Sequence, residues 1–339
     1  MATNCYGLWT IDCGLFPTIL IFPLLKKLKT LVVIVGPTAV GKTTVAIRLA
    51  QLLKTEVVSA DSRQIFKELT IGTAKPSPSE LALVPHHFIN THSIIEDYNA
   101  AQYARDALVL ISDLFEKYNT LILCGGSGLY VKAVCEGFDD IPEIPADVRE
   151  GLMQHYEQAG IEWLQQEMLR LDPEHYNQID QKNPHRLIRA LEVRLGTGAS
   201  IASFHTRKQV SRPFEILKIG LELPREDLYR RIDERMDKMI DQGLIEEARG
   251  LYTHKHRQAL QTVGYQEIFD LIDGKYDLDE AIRLLKRNSR RYAKRQLTWF
   301  KRETDINWFP ADDQEKILEF VLDHKAHLHG RMAGDSYEQ

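Results

Sequence analysis

Four cysteines in 339 residues, Cys5, Cys13, Cys124 and Cys135, are too few and too irregularly spaced for a disulfide framework. They show no C-x-x-C pair, which removes the common zinc and dithiol modules, and they are expected to be reduced thiols in a cytoplasmic protein. Cys124, at the end of an apolar run, is expected to be buried. No apolar run is long enough to span a bilayer. The longest, Cys13 to Leu25, contains Pro17 and Pro23 and is followed rather than preceded by its cations, Lys26 and Lys27, so it is not a secretory signal either. Residues 1–29 read as an appended leader of the kind an upstream start codon produces, and no membrane attachment is expected. No repeat recurs along the chain, which excludes solenoids and propellers.

Positive charge is scarce overall and concentrated in one place. The formal charge is −5, yet residues 281–302 hold nine Lys or Arg and no acid, which leaves −14 for the remainder. An acidic body with one strongly basic segment points to a local anionic partner, or to a basic face turned towards acidic protein.

Short apolar, β-branched runs, "LVVIV" (31–35), "EVVSA" (56–60), "LILCG" (121–125) and "EILKIGLEL" (215–223), have the composition of buried parallel strands. Helical patterns separate them. Val45, Ala46, Leu49 and Leu53 share one face, and so do Tyr103, Ala107, Ile111 and Leu114 in a segment that Asn99 is placed to cap. The alternation predicts an α/β fold with a mostly parallel sheet flanked by helices. From 138 to 205 the strand signal disappears, which predicts a helical insertion. The core is then 30–137 with 206–320, and 321–339 reads as a frayed tail. Gly243 and Gly274 are expected to stop helices.

"GPTAVGKT", Gly36 to Thr43, fits G-x-x-x-x-G-K-[ST] with a strand before it and a helix after it. Gly36 and Gly41 permit a loop whose N–H groups converge on phosphate at a helix N-terminus. Lys42 adds a point charge, and the Thr43 hydroxyl is placed for Mg²⁺. The loop recognises a polyphosphate, and nothing in its physics requires a nucleotide. "LILCGG" ends without the acid that usually holds Mg²⁺ in such proteins. The acid is Asp61 in "SADSRQIF", expected to face the loop across adjacent strand ends. There it can accept a proton from a nucleophile, as in a small-molecule P-loop kinase, or simply cap the next helix.

The segment "DEAIRLLKRNSRRYAKRQLTWFKRE" places Ile282, Leu285, Ser289, Ala293, Leu297 and Phe300 on one seam. Seven cations surround it, from Arg283 to Arg295, with Tyr292 and Trp299 as stacking surfaces, a combination suited to nucleic acid. Arg225, Arg230, Arg231 and Arg235 recur at helical spacing, and some can reach the polyphosphate.

The blocks "GPTAVGKT", "SADSRQIFKELTIGTAKP", "GGSGLYVKAV", "NPHRLIRALEV", "LPREDLYRRIDERM", "TVGYQE" and "RRYAKRQLTWF", in this order, closely resemble the tRNA dimethylallyltransferases over about residues 31–310. The resemblance implies that the P-loop NTPase-like core binds dimethylallyl diphosphate through Gly36, Pro37, Thr38, Ala39, Val40, Gly41, Lys42 and Thr43, with Arg231 and Arg235 opposite. Mg²⁺ is implied at Thr43. It implies as acceptor the exocyclic amine of adenosine 37 in tRNAs reading codons that start with U, the product being isopentenyladenosine. Asp61 is implied as general base, with Lys42, Ser127 and Arg235 also catalytic. Asp61, Ser62, Arg63, Gln64, Ser127, Arg149, His185, Arg186, Leu187, Ile188, Arg189, Gln261, Thr262, Val263, Gly264, Tyr265 and Gln266 are implied to line the RNA path. The family usually carries Thr where this chain has Ser127, a change that keeps the hydroxyl. The chain also lacks the Cys/His module of the longer eukaryotic members, so a bacterial-type, monomeric, cytoplasmic enzyme is expected. A kinase and a non-catalytic RNA-binding module are the competing readings.

Overall fold

The apolar run at residues 30–35 forms β1 (Thr30–Val35), and every residue in it is buried, because a parallel neighbour pairs with it on each side. The computed structural model describes residues 29–139, 141–205 and 210–334, so the expectations for residues 1–28 and for Cys5 and Cys13 lie outside it. β2 (Val57–Ser59), β3 (His86–His87), β4 (Thr120–Gly125), β5 (Glu215–Glu222) and β6 (Ile306–Pro310) complete a parallel sheet of order β3-β2-β4-β1-β5-β6. The four strands expected from the sequence are its centre. β3 and β6 lacked a sequence signal: β3 is two residues long, and β6 is an edge strand with one buried residue.

Helices α1 (Lys42–Leu53), α2 (Pro78–Leu83), α3 (Ala100–Phe115) and α4 (Gly128–Glu136) connect the first strands. Asn99 caps α3 through bonds from the N–H groups of Ala101 and Gln102 at 2.9 and 3.0 Å. The stretch without strands is α5 (Ala146–Leu171), α6 (Pro173–Tyr176), α7 (Pro184–Thr197) and α8 (Ile201–Phe204). After β5 come α9 (Arg225–Asp241), α10 (Leu244–Gly250), α11 (Tyr265–Ile272) and α12 (Leu278–Phe300). The expected frayed tail needs correction. α13 (Gln314–Gly334) runs through 321–334 of it, with Val321 fully buried, and 335–339 lie outside the described residues.

The chain divides into two units. One holds residues up to Tyr98, Ala107–Gly128 and the chain from Pro213, including the sheet; the other holds Asn99–Asp106 and Leu129–Arg212. The second has its own core, where Leu152, Leu164 and Met168 of α5 meet Leu187, Ile188 and Leu191 of α7.

Candidate active site

β1 delivers the chain to a loop whose backbone departs from ordinary geometry. Gly41 sits at φ 107° and opens α1 in the left-handed region, where only glycine is unstrained. Ala39 also has a positive φ, 64°, a strain of about 1–3 kcal/mol that persists only where surrounding structure imposes it. No side chain caps α1 and no acid occupies its first turn, which leaves the first N–H groups and the positive helix end for an anion.

Lys42 Nζ donates to the Pro37 carbonyl at 2.8 Å. Burial pulls its pKa down to about 8; Cys124 and Asp61 oppose this shift, and Arg235 adds to it. Burial likewise lowers the Arg235 pKa, with Asp61 opposing. Arg235 extends from α9 towards Thr38 Oγ1 and the Ala74 carbonyl, both at 3.5 Å. These groups surround a cavity of about 590 Å³ whose wall includes Thr38, Ala39, Gly41, Lys42, Thr43 and Asp61. Arg231, Arg235 and Lys238 close it from α9; Lys238 was not foreseen. Arg231 is held by Asp312 at 2.9 Å. Gly36, Pro37 and Val40, expected on the diphosphate, are buried residues that shape the loop. Cys124 lines the cavity and is half-buried rather than buried, and desolvation raises its thiol to about 12.

Asp61 does not face the loop across adjacent strands, because β4 lies between β2 and β1. The register still brings the strand ends together, since Ser59 pairs with Cys124 as Ile34 does. No helix follows Asp61, so it caps a turn and not the helix expected there. Its Oδ1 accepts the N–H groups of Arg63 and Gln64 at 2.9 and 3.2 Å, fixing a turn, while the side chain acts electrostatically on Lys42 and Arg235. Ser127 Oγ accepts the Ser62 N–H at 3.0 Å and donates to Ser62 Oγ at 3.1 Å, tying the second glycine turn to this segment. Gln64 Nε2 donates to the carbonyls of Thr73 and Ala74, on the cavity wall. That wall hangs on Glu247, absent from the sequence reading, whose carboxylate accepts the N–H groups of Thr70, Ile71 and Gly72 and the Tyr265 hydroxyl at 2.7–3.1 Å.

α12 carries two corrections. Its buried seam is Ala281, Leu285, Ser289, Ala293, Gln296 and Phe300, whereas Ile282 and Leu297 are only half-buried. A buried glutamine gave no apolar signal, yet it accepts the Thr38 N–H at 2.8 Å and donates to the Gly126 carbonyl at 2.9 Å. A Cβ at Gly126 would lie 2.4 Å from its amide nitrogen, which explains the glycine. The seven cations also do not all face solvent or RNA: Lys286 and Arg290 pair with Asp237 and Asp233 of α9, and Arg283 pairs with Glu280. Tyr292 lies between these cations and the site; burial, then Asp61, raises its hydroxyl to about 12, and Ser127 hydrogen-bonds it.

Several residues expected on the RNA path are structural. Leu187 and Ile188 are 0% and 2% exposed because they point into the core of the helical unit. Tyr265 is fully buried against Gly72, with burial and Glu247 holding its hydroxyl protonated. His185, Arg186, Gln261 and Gln266 are exposed, Thr262 and Val263 half-buried, and Gly264 buried. Arg149 and Arg189 share Glu192, which is 6% exposed, at 3.3 and 3.1 Å.

The family model described as IPP transferase matches residues 64–303. The tRNA dimethylallyltransferase 1 of Bacteroides fragilis is 47% identical over 86% of this chain and 97% of its own length. The tRNA dimethylallyltransferase of Cytophaga hutchinsonii is 50% identical over 86% of this chain and 96% of its own. The crystal structure of the full-length tRNA isopentenylpyrophosphate transferase of Bacillus halodurans matches with a TM-score of 0.66 and 38% identity, covering 89% of this chain and 99% of that one. A P-loop on a six-stranded parallel sheet, an acid at the end of β2 and nearly full-length identity at this level place the chain in the tRNA dimethylallyltransferase family.

Proposed function

We propose that the chain transfers the dimethylallyl group of dimethylallyl diphosphate to the exocyclic amine of adenosine 37 in the anticodon loop of tRNAs that read codons starting with U. The observation that carries this reading is one cavity holding the phosphate loop, the cations Lys42 and Arg235, and the carboxylate of Asp61. A polyphosphate held on one side and a proton acceptor on the other suit substitution at a carbon bound to diphosphate.

In that reaction the C–O bond at the prenyl carbon breaks, its electron pair leaves with diphosphate, and the amine nitrogen forms the new C–N bond. The amine proton passes to Asp61, which the Arg63 and Gln64 N–H groups hold in place through Oδ1. The loop N–H groups, Lys42 and Arg235 stabilise charge growing on the leaving group, and being fixed before reaction they need not reorganise. Thr43 suits Mg²⁺, an ion that takes oxygen ligands, keeps several waters and shares substrate phosphates, so that one protein hydroxyl beside the loop is an adequate donor. When bound there, Mg²⁺ supplies further charge stabilisation to diphosphate. The base must leave its stack to reach the cavity. Exposed His185, Arg186 and Arg149 of the helical unit, with Gln261 and Gln266, are proposed to contact the RNA, and Ser62, Arg63 and Ser127 to position the adenosine.

Purified protein given tRNA, dimethylallyl diphosphate and Mg²⁺ is expected to yield isopentenyladenosine in the mass spectrum of digested RNA, without consuming ATP. Unmodified adenosine in that digest, from folded protein, refutes the reading.

A further inference from the structure

α12 meets the glycine turn after β4 through Tyr292, Gln296 and Trp299, which fall within about 60° of arc at about 100° per residue. Each takes one residue of the turn. Gln296 Nε2 donates to the Gly126 carbonyl at 2.9 Å, and the Trp299 indole lies so close to Gly128 that a Cβ there would stand 2.3 Å from it. Between these two glycines stands Ser127, and the Tyr292 hydroxyl is hydrogen-bonded to it. The single proton of the Ser127 hydroxyl goes to Ser62 Oγ at 3.1 Å, so in the bond to Ser127 the tyrosine O–H is the donor. Burial, then Asp61, raises the pKa of that hydroxyl to about 12, which keeps the proton in place. Arg295 lies over the Tyr292 ring at 5.6 Å and covers its face.

The bond matters because residue 127 is a serine. A β-branched side chain is stiff at χ1, whereas a serine hydroxyl turns among three staggered wells, and its bonds to the Ser62 N–H at 3.0 Å and to Ser62 Oγ need it to stay in one. Ser62 adjoins Asp61. The bonds from Arg63 and Gln64 to Asp61 Oδ1 shape the 61–64 turn from within, and Ser127 ties that turn to the one after β4.

We propose that Tyr292 is a positioning residue for Asp61: its hydroxyl pins Ser127 in the rotamer that holds Ser62, and so keeps the Asp61 carboxylate in place on the cavity wall. This rests on the reading of Asp61 as proton acceptor and adds the group that steadies it. The tyrosine touches no reacting atom. Its contribution is to geometry, since a proton acceptor displaced by about 1 Å from its nucleophile costs roughly 10²-fold in rate. Diphosphate binding, built on the phosphate loop, Lys42 and Arg235, does not pass through this bond.

The test is Tyr292→Phe in the full chain, which keeps the ring and removes the hydroxyl. Single-turnover prenyl transfer is expected to slow by roughly 10–100-fold, with KM for tRNA and for dimethylallyl diphosphate little changed. Hydrogen exchange at the amides of residues 62–64 quickens. Ser127→Thr, whose γ-methyl restricts χ1, recovers much of the lost rate in the Tyr292→Phe background and gains less in the wild type. Tyr292→Phe adds nothing to the loss caused by Ser127→Ala, because the tyrosine acts through the serine. An unaltered single-turnover rate, a loss confined to KM for tRNA, or a loss that Ser127→Thr fails to relieve overturns the assignment. A wild-type protein that makes no isopentenyladenosine, while Tyr292→Phe still quickens exchange at 62–64, sinks the proposed function and leaves the positioning of Asp61 standing. Prenyl transfer indifferent to Tyr292→Phe does the reverse.

Discussion

The backbone N–H of Thr38 donates to Gln296 Oε1 at 2.8 Å, so the phosphate loop is held by a side chain 258 residues away, on the helix that carries the basic stripe. The same amide donates to the Gly126 carbonyl, fixing the turn after β4 relative to the loop. Gln296→Leu leaves the buried Gly126 carbonyl and the half-buried Thr38 N–H without this partner. The expected result is about 1–3 kcal/mol less stability in a denaturant melt, together with a raised KM for dimethylallyl diphosphate. Gln296→Glu keeps the acceptor for Thr38 but sets a carboxylate against the Gly126 carbonyl and the diphosphate, so its KM for that substrate rises further.

Asp61 separates its two roles by substitution. Asp61→Asn keeps an oxygen for the N–H groups of Arg63 and Gln64 but cannot take a proton, so kcat falls by roughly 10²–10⁴ with a near-normal melting temperature. Asp61→Ala loses the turn as well, and its melting temperature drops too. Equal kcat for wild type and Asp61→Asn in single-turnover prenyl transfer would remove Asp61 as the base.

Lys42 sets a pH dependence. Buried without substrate, its ammonium has a pKa of about 8 and is charged below that value. The cation that attracts diphosphate is therefore present at lower pH and lost as pH rises through about 8. kcat/KM for dimethylallyl diphosphate is expected to decline along a basic limb near that pH. The limb in kcat lies higher, because bound diphosphate favours the charged form. Lys42→Met lowers kcat/KM throughout and abolishes the limb; a variant profile that keeps it assigns the limb elsewhere.

Glu247 organises the 70–74 wall from a distance. Its carboxylate accepts three backbone N–H groups and the Tyr265 hydroxyl, and Glu247→Gln turns an amide NH₂ towards donors. A loss of about 2 kcal/mol is expected, with faster proteolytic cleavage near Thr70–Thr73. Tyr265→Phe, which removes one of the four bonds, is expected to cost less; a larger loss than Glu247→Gln would place the anchor on the tyrosine.

The central strands, the phosphate loop and the capped α3 were legible because their physics is local: β-branched runs, glycines at a turn, an apolar face at helical spacing and Asn99 before it. The pair proposed to carry the chemistry was legible for the same reason, Lys42 closing the glycine loop after β1 and Asp61 following β2 closely. β6 was not, since a half-exposed edge strand has no apolar run, and the part of α13 from residue 321 was read as a tail because histidines and glycine hid a helix that buries Val321.

The sequence by itself marked Gly36–Thr43 as a loop suited to an anion and determined that α12 would be strongly basic. Only the tertiary structure decided which cations remain for a partner, because Asp233 and Asp237 on another helix neutralise Arg290 and Lys286. It likewise decided that Leu187, Ile188 and Tyr265 are core, and that Gln296 and Glu247 hold the site's walls. Local pattern fixes what a residue is able to do, but pairing between distant segments fixes which charges are cancelled and which polar atoms are buried.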